Sequence, residues 1–203
     1  MPRHTIDTIT ERRKARLESV LRKRQIGLTI VLENVWDPHN VSAILRSADA
    51  VGIRTIHLLY TIEKAPNLKR HGKQSSASAK KWLDFRVHDS VDACFDALHA
   101  DGFKVYASHL TNHAVGLHDI DFTGNTAIIL GNEHRGVSEE ACARADGIYF
   151  IPMMGMVESL NVSVAAAVSL YEALRQRNEA GLYDTPQLGE EGVRETLIAW
   201  AKK

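Results

Sequence analysis

The segment PMMGMVESLNVSVAAAVSLYE, residues 152–172, carries the pattern on which the fold prediction depends. It begins as a loop with three methionines and a glycine, and it continues through Ser159, Leu160 and Asn161 into a run of Val, Ala and Ser. The preceding GIYFIP, residues 147–152, has the apolar pattern of a strand, and residues 161–177 have the pattern of a long helix. Polar side chains therefore stand between a strand and a helix whose small residues permit close packing.

Outward from this segment, short apolar runs alternate with helical patterns along the chain. Strands are predicted at residues 28–34, 55–60, 84–88, 104–110, 125–131 and 147–152. Helices are predicted at residues 10–25, 40–53, 90–102, 138–145, 161–177 and 191–203. This alternation predicts an α/β fold with a mostly parallel sheet flanked by helices, and such sheets bind ligands at the carboxyl ends of their strands.

Polar motifs follow four of these strands, at the edge where a ligand is expected. They are ENVWDPHN, SHL, GNEHRG and PMMGMVESLN. GxGxxG and GxxxxGK[ST] are both absent, which argues against a dinucleotide-binding dehydrogenase and a P-loop NTPase. Asn40 could cap a helix, Arg46 on an apolar helix face needs an anion, a neighbouring subunit or a surface ion pair, and Ser159 and Asn161 could cap the long helix.

The bulk composition excludes several classes of protein. Of 203 residues, 44% are apolar and 25% charged, as in soluble globular proteins. The chain has no apolar run long enough for a membrane span, and its N-terminus lacks the apolar core of a secretory signal. Cys94 and Cys142 are expected to be reduced cytosolic thiols, and the ten histidines lack metal-ligand spacing, so a cytoplasmic protein without a bound metal is expected.

The net charge is zero, but the charges are unevenly distributed. Residues 1–24 hold eight Lys or Arg against three acids, and residues 64–81 hold six and no acid. Residues 115–160 hold two Arg against seven acids. Basic patches on a neutral chain suit either a polyanion bound at one face or two solvated basic faces.

Three ordered motifs resemble those of the SpoU branch of the SPOUT RNA methyltransferases. They are ENVWDPHNVSAILRSADAVGI, IILGNEHRGVSEE and IPMMGMVESLNVSVAAAVSLYE, which with flanking strands cover most of residues 28–178. The resemblance implies methyl transfer from S-adenosylmethionine to an RNA ribose 2′-hydroxyl. The basic leading segment and the terminal LIAWAKK look like the tRNA subgroup that methylates guanosine 18 of the D-loop.

The resemblance also implies an architecture and an assembly. A trefoil knot is expected in the C-terminal half, passing residues 147–165 through a loop near GNEHRG. The expected division is a basic helical extension at 1–26, a catalytic domain at 27–178 and a helical extension at 179–203. A homodimer with the active site near the subunit interface is expected.

Site residues are carried over from the resemblance by their place in the motifs. The implied catalytic set is Arg46, Asn40, Glu133, Ser159 and Asn161. The implied cofactor contacts, largely through backbone groups, are Ser108, Leu110, Gly131, Ile151, Met153 and Leu160. Candidate contacts to tRNA phosphates are Arg12, Arg13, Lys14, Arg22, Lys23, Arg24, Lys69 and Arg70.

Three alternatives stay open on the sequence. The substrate could be the tRNA anticodon loop or ribosomal RNA, or the chain could be a non-catalytic RNA-binding protein of the same fold. About 27 residues precede the first strand, where ribosomal RNA enzymes often carry a larger RNA-binding domain, so tRNA is favoured. A chain without catalysis is expected to lose Arg46 or the SLN motif, and this chain keeps both.

Overall fold

A computed structural model describes residues 9–65 and 79–203, which form six α-helices and seven strands. The helices are α1 (Glu11–Arg22), α2 (Pro38–Ala50), α3 (Val91–Ala100), α4 (Glu139–Arg144), α5 (Val162–Glu179) and α6 (Gly189–Ala201). The strands are β1 (Leu28–Glu33), β2 (Thr55–Leu59), β3 (Asp84–His88), β4 (Lys104–Ser108), β5 (Val115–Gly116), β6 (Thr126–Leu130) and β7 (Gly147–Phe150).

The strands form one sheet in the order β3-β2-β1-β6-β4-β7-β5, and all six pairings are parallel. Ile30 of β1 pairs with Ile56 of β2 on one side and Ile128 of β6 on the other. Every residue of β1 and β6 is buried, as expected for central parallel strands covered on both faces. The predicted α/β class is confirmed. The two-residue edge strand β5 was not predicted, because it is too short for a periodic signal.

Serine and glycine residues mark several helix ends. Ser90 caps α3 and Ser138 caps α4, and Gly52 and Gly102 follow α2 and α3 with positive φ of 90° and 78°. The suggestion that Asn40 caps a helix is wrong. Asp37 is the N-cap of α2, its carboxylate accepts the His39 N–H, and Asn40 lies inside the first turn.

Two apolar clusters cover the two faces of the sheet. Side chains of α2 and α5, such as Ile44 and Leu170, pack on one face, while α3 and α4 pack on the other. The terminal helices α1 and α6 form a third cluster between themselves around Leu21, Leu197 and Trp200. The sheet and the helices on its two faces therefore form a three-layer body, with α1 and α6 packed together beside it.

Arg24 lies in the interior, which corrects its assignment as an RNA-phosphate contact. Its side chain is fully buried, its Nη1 donates to Ile53 O and its Nη2 donates to Asp49 Oδ1, both at 2.5 Å. The guanidinium also stacks over the Trp200 ring at 5.2 Å. A buried charge needs such partners, so Arg24 joins α6 to α2 rather than binding tRNA.

None of the helices in the described ranges combines the length and apolar character needed to cross a membrane. The division at 1–26, 27–178 and 179–203 and the trefoil knot across 147–165 stay predictions.

The buried imidazole of His57, paired with His88, predicts a pH-dependent stability. His57 Nδ1 lies 3.0 Å from His88 Nε2, and burial, followed by the proximity of His88 and Arg86, lowers the pKa of His57 from 6.5 to about 4. The unfolded chain takes up a proton below pH 6.5 that the folded chain does not, so stability falls as pH falls through this window. Between about pH 7 and about pH 5 the free energy of unfolding should fall by about 2 kcal/mol from this group.

Urea unfolding at the two pH values measures this loss. The His57→Gln variant has no titrating group at this position, so its free energy of unfolding should fall less between the two pH values. An equal loss in both proteins would show that His57 is not the cause.

Candidate active site

A cavity of about 940 Å³ opens at the carboxyl ends of β4, β6 and β7. It is lined by residues 108–110, by residues 130–136, and by much of residues 150–162. Its volume lies in the range of small-molecule sites, and its wall mixes apolar side chains with polar loop groups. The lining includes all six residues predicted to contact the cofactor: Ser108, Leu110, Gly131, Ile151, Met153 and Leu160.

Three of the predicted catalytic side chains form a hydrogen-bonded chain at this cavity. Asn161 Nδ2 donates to Asn40 Oδ1 at 3.1 Å, and Asn40 Nδ2 donates to Glu133 Oε1 at 2.9 Å. Glu133 and Asn161 line the cavity, and Asn40 is buried behind them. We call this chain the Asn161–Asn40–Glu133 relay. It fixes the amide orientation of both asparagines, because each uses a defined donor and acceptor.

The carboxylate of Glu133 is held ionised by its hydrogen bonds. Partial burial alone would raise its pKa, but donation from Asn40, from the Glu133 backbone and from the Trp36 and Asp37 N–H groups outweighs burial and lowers the pKa. The Trp36 N–H donates to Oε2 and the Asp37 N–H to Oε1, both at 3.1 Å. Glu133 therefore acts as an acceptor that joins the loop after β6 to the start of α2.

The loop after β1 is held in place by two further asparagines. Asn34 has φ of 50°, a conformation that asparagine tolerates, and its Oδ1 accepts the N–H groups of residues 61–63 at 3.0–3.1 Å. Asn132 Nδ2 donates to Asn34 O at 2.8 Å, while its Oδ1 accepts the His134 N–H at 3.0 Å. The motifs ENVWDPHN and GNEHRG are thus joined directly to each other.

Asn161 caps α5 and also belongs to the relay. Its Oδ1 accepts the Ser163 N–H at 2.8 Å as the N-cap of α5, while its Nδ2 belongs to the relay. Ser159 is exposed and lines the cavity without capping α5. The small residues after Asn161 allow α5 to pack on the sheet and α2, which brings its N-terminus to the cavity.

Arg46 lies apart from both the relay and the cavity lining. It is exposed on α2, lies outside the cavity lining, and makes no hydrogen bond or ion pair with any residue in 9–65 or 79–203. The surface ion pair considered from sequence is therefore not formed within the described residues.

The basic residues of α1 differ in their availability to a polyanion. Arg12, Arg13 and Lys23 are exposed, and Lys14 is half-buried. Arg22 is half-buried and donates to Glu190 at 2.8 Å, so its charge is already paired. The predicted contacts Lys69 and Arg70 lie outside the described residues.

Arg16 was missed by the sequence reasoning. It is exposed and shares one helix face with Arg12 and Lys23, at spacings of four and seven residues. The helical spacing was present in the sequence and could have identified it. We call Arg12, Arg16 and Lys23 the basic stripe of α1.

Adding one methyl group at Gly131 is expected to destabilise the fold strongly. A Cβ at this position would overlap the carbonyl group of Gly136 and the amide nitrogen of Val137. Because backbone atoms cannot move aside cheaply, Gly131→Ala should destabilise the fold by about 3 kcal/mol and distort the cavity floor. Gly155→Ala is the matched control, since a Cβ there meets nothing within 4 Å.

Urea unfolding and calorimetric titration with S-adenosylmethionine compare the two variants. Gly155→Ala should match the parent chain in stability, whereas Gly131→Ala should lose both stability and ligand affinity. A stable Gly131→Ala protein with unchanged affinity would contradict the close backbone approach.

A separate group of potential metal donors lies away from the cavity, between β2, β3 and α3. The donor atoms of His57, His88 and Cys94 all lie within 4.8 Å of one another. The sequence expectation that no metal is bound therefore stays a prediction.

Comparison with known proteins gives concordant matches. The model of the SpoU rRNA Methylase family matches residues 27–171. A tRNA (guanosine(18)-2′-O)-methyltransferase from Thermus thermophilus is 48% identical over 194 residues, covering 96% of this chain and 98% of the relative.

Solved structures agree with the sequence matches. The crystal structure of an A. aeolicus TrmH/SpoU tRNA modifying enzyme matches with a TM-score of 0.82 and 37% identity, over 95% of this chain and 96% of that one. The SpoU methyltransferase AviRb from Streptomyces viridochromogenes, in complex with AdoMet, matches with a TM-score of 0.67 and 28% identity, over 74% of this chain and 57% of that one.

Proposed function

The chain belongs to the SpoU rRNA Methylase family, and on that basis we propose that it methylates the ribose 2′-hydroxyl of guanosine 18 in tRNA. S-adenosylmethionine is the methyl donor, and the cavity at the ends of β4, β6 and β7 has the volume and mixed lining to hold it. The observation that carries the proposal is the Asn161–Asn40–Glu133 relay at the edge of this cavity. The cytoplasm, where unmodified tRNA is available, is the proposed location.

The residues around the cavity serve to orient the substrate. S-adenosylmethionine, held by the residues that line the cavity, would supply an electrophilic methyl group. Asn161 and Ser159, which line the cavity, hydrogen-bond the ribose in this proposal, and Glu133 fixes Asn40, the partner of Asn161. Such positioning can supply a large part of the rate, because the reacting atoms are held in line before the reaction.

Arg46 supplies positive charge to the reaction. A free guanidinium remains protonated well above neutral pH, so it is a poor base but a good partner for a phosphate or a developing oxyanion. We assign Arg46 to stabilise the negative charge that grows on the 2′-oxygen as its proton passes to a solvent water, with a substrate phosphate fixing the guanidinium.

The position of Arg46 is explained by a homodimer. The α5 helix exposes Val164, Val168 and Tyr171 at spacings of four and three residues, a continuous apolar stripe. The helices α2 and α5 pack side by side on the same face of the sheet, so Arg46 and the stripe lie in the same layer. A second copy packed on this layer would cover the stripe and carry Arg46 of one subunit to the cavity of the other.

The basic stripe of α1 is the proposed contact to tRNA phosphates, beside α6. Replacing Arg12 and Arg16 together with alanine should lower tRNA affinity and reduce the slope of log K against log salt by about 2, near one for each lost phosphate contact. Arg22→Ala is the control, since Arg22 is paired with Glu190 and should change the slope little. An unchanged slope in the double variant would place the tRNA elsewhere.

Labelled methyl transfer to RNA substrates tests the proposed function. Unmodified tRNA transcripts and ribosomal RNA are each incubated with enzyme and labelled S-adenosylmethionine, and the product is mapped with nucleases. Label on the D-loop guanosine supports the proposal. Label in the anticodon loop or in ribosomal RNA would show that this RNA, and not guanosine 18, is the substrate. Absence of methyl transfer with the cofactor still bound would indicate an RNA-binding protein without catalysis.

A further inference from the structure

Trp36 presents a large aromatic ring to solvent. Its side chain is 68% exposed, although an indole is among the largest apolar groups a protein can bury. The two other tryptophans, Trp82 and Trp200, pack against each other in the α1–α6 cluster. The exposure of Trp36 therefore calls for a specific reason.

The backbone that carries Trp36 is rigidly held. Its own N–H donates to Glu133 Oε2 at 3.1 Å, and the N–H of the next residue, Asp37, donates to Glu133 Oε1 at the same distance. On the other side, the Tyr60 hydroxyl donates to Val35 O at 2.8 Å. Side chains of two other elements thus fix the residues on both sides of an exposed ring. A fixed backbone lowers the entropy that the ring loses on binding.

The backbone of Trp36 is joined to the relay through Glu133. The Glu133 carboxylate that accepts the Trp36 N–H also accepts the Asn40 amide of the relay. One carboxylate therefore couples the position of Trp36 to the residues that orient the ribose. Ile62, 70% exposed, lies on the neighbouring loop that Asn34 holds against the same motif.

We propose that the Trp36 indole is a stacking platform for a base of the substrate tRNA, either the methylated guanosine or a nucleotide beside it in the D-loop. This inference rests on the proposed function. Proteins that act on single-stranded RNA loops hold splayed bases on aromatic faces, because every base offers a π-surface. A base stacked on Trp36 would orient its nucleotide while the adjacent relay holds the ribose.

Two substitutions at Trp36 distinguish the contribution of the aromatic ring from that of the rest of the site. Trp36→Ala should weaken tRNA binding and lower kcat/KM for tRNA by about tenfold or more, within the range that base–aromatic stacking spans. Trp36→Phe keeps an aromatic ring and should retain most of the tRNA affinity and most of the kcat/KM. Affinity for S-adenosylmethionine should not change in either variant. Val87→Ala on the edge strand β3 removes another exposed apolar side chain and should have no effect.

Intrinsic fluorescence supplies a direct readout of stacking. Titration with unmodified tRNA should quench the emission of the parent protein, and Trp36→Phe should abolish that part of the quenching. Loss of quenching together with the affinity loss in Trp36→Ala would establish the platform.

Other outcomes would overturn the inference. If Trp36→Ala binds and methylates tRNA like the parent chain, the platform is wrong while the proposed function stands. If Trp36→Ala sediments at half the mass of the parent protein, the indole belongs to a subunit interface. If the parent protein itself transfers no methyl group to tRNA, it is the proposed function that fails.

Discussion

Arg46→Ala is expected to lower methyl transfer to tRNA by about 10²- to 10³-fold while leaving S-adenosylmethionine affinity unchanged. The expected loss is that of removing one charged group aimed at a developing oxyanion. Cofactor affinity should persist because Arg46 does not line the cavity of its own chain. Labelled methyl transfer measures the first quantity, and calorimetry measures the second.

Arg46→Lys distinguishes charge from geometry at the same position. Lysine keeps the positive charge but lacks the planar fork that binds a phosphate through two parallel hydrogen bonds. If Arg46→Lys regains little of the methyl-transfer activity, Arg46 binds a phosphate through two hydrogen bonds. If it regains nearly all of the activity, the positive charge alone is sufficient. Activity of Arg46→Ala within tenfold of the parent would remove Arg46 from the reaction.

Mixing Arg46→Ala with Asn161→Ala tests whether Arg46 acts across the proposed dimer. In a mixed dimer of Arg46→Ala and Asn161→Ala subunits, one cavity is intact and receives Arg46 from its partner if the site is shared. Subunits are denatured together and refolded to form such dimers. Activity should then reappear in the mixture, whereas a site built within one subunit would give none.

Glu133→Gln is expected to lower kcat for tRNA methylation by about 10²-fold, the second-largest effect on activity. Glu133 offers two acceptor oxygens to the Asn40 amide, to the N–H groups of Trp36 and Asp37, and to its own backbone N–H. Glutamine replaces one oxygen with an NH₂ group, which places a donor against a donor. The relay and the start of α2 should shift, and displacements near 1 Å can cost about 10²-fold in rate.

Glu158→Gln is the matched control for Glu133. Glu158 is an exposed carboxylate that lines the same cavity, and it makes no hydrogen bond within the described part of the chain. Its substitution should change kcat less than about threefold, as expected for a solvated side chain with no partner to lose. If Glu133→Gln lowers kcat while the tRNA affinity stays nearly constant, Glu133 acts by positioning the relay. A similar fall in kcat in Glu158→Gln would indicate a general effect of the negative charge in the cavity.

Much of the fold was readable from the sequence because its signals are local. Apolar runs identified six of the seven strands, and each of the six predicted helices overlaps one of the observed helices. The order of the strands was not readable, because β1 pairs with β6 across nearly a hundred residues and no local pattern records that pairing. Asn40 was misjudged as a possible cap because Asp37, three residues earlier, satisfies the helix end instead.

The sequence predicted which residues form the candidate site but not how they are arranged in space. The motifs named Asn40, Glu133 and Asn161, while their hydrogen-bonded order required three separate loops to be placed together. Arg24 looked like its basic neighbours, yet it is buried beside Trp200, because a charge run does not show which of its members faces inward. Trp36 gave no sequence signal, since exposure of a single aromatic residue depends on its tertiary surroundings.

Methyl transfer to a tRNA that carries 2′-deoxyguanosine at position 18 tests the central claim most directly. The enzyme is given two otherwise identical tRNAs, with and without that single hydroxyl, together with labelled S-adenosylmethionine. We expect one methyl group per tRNA with the ribose substrate and no label with the deoxyribose substrate. Equal labelling of both would show that the methyl group goes to another position, and the assignment to the 2′-hydroxyl of guanosine 18 would be wrong.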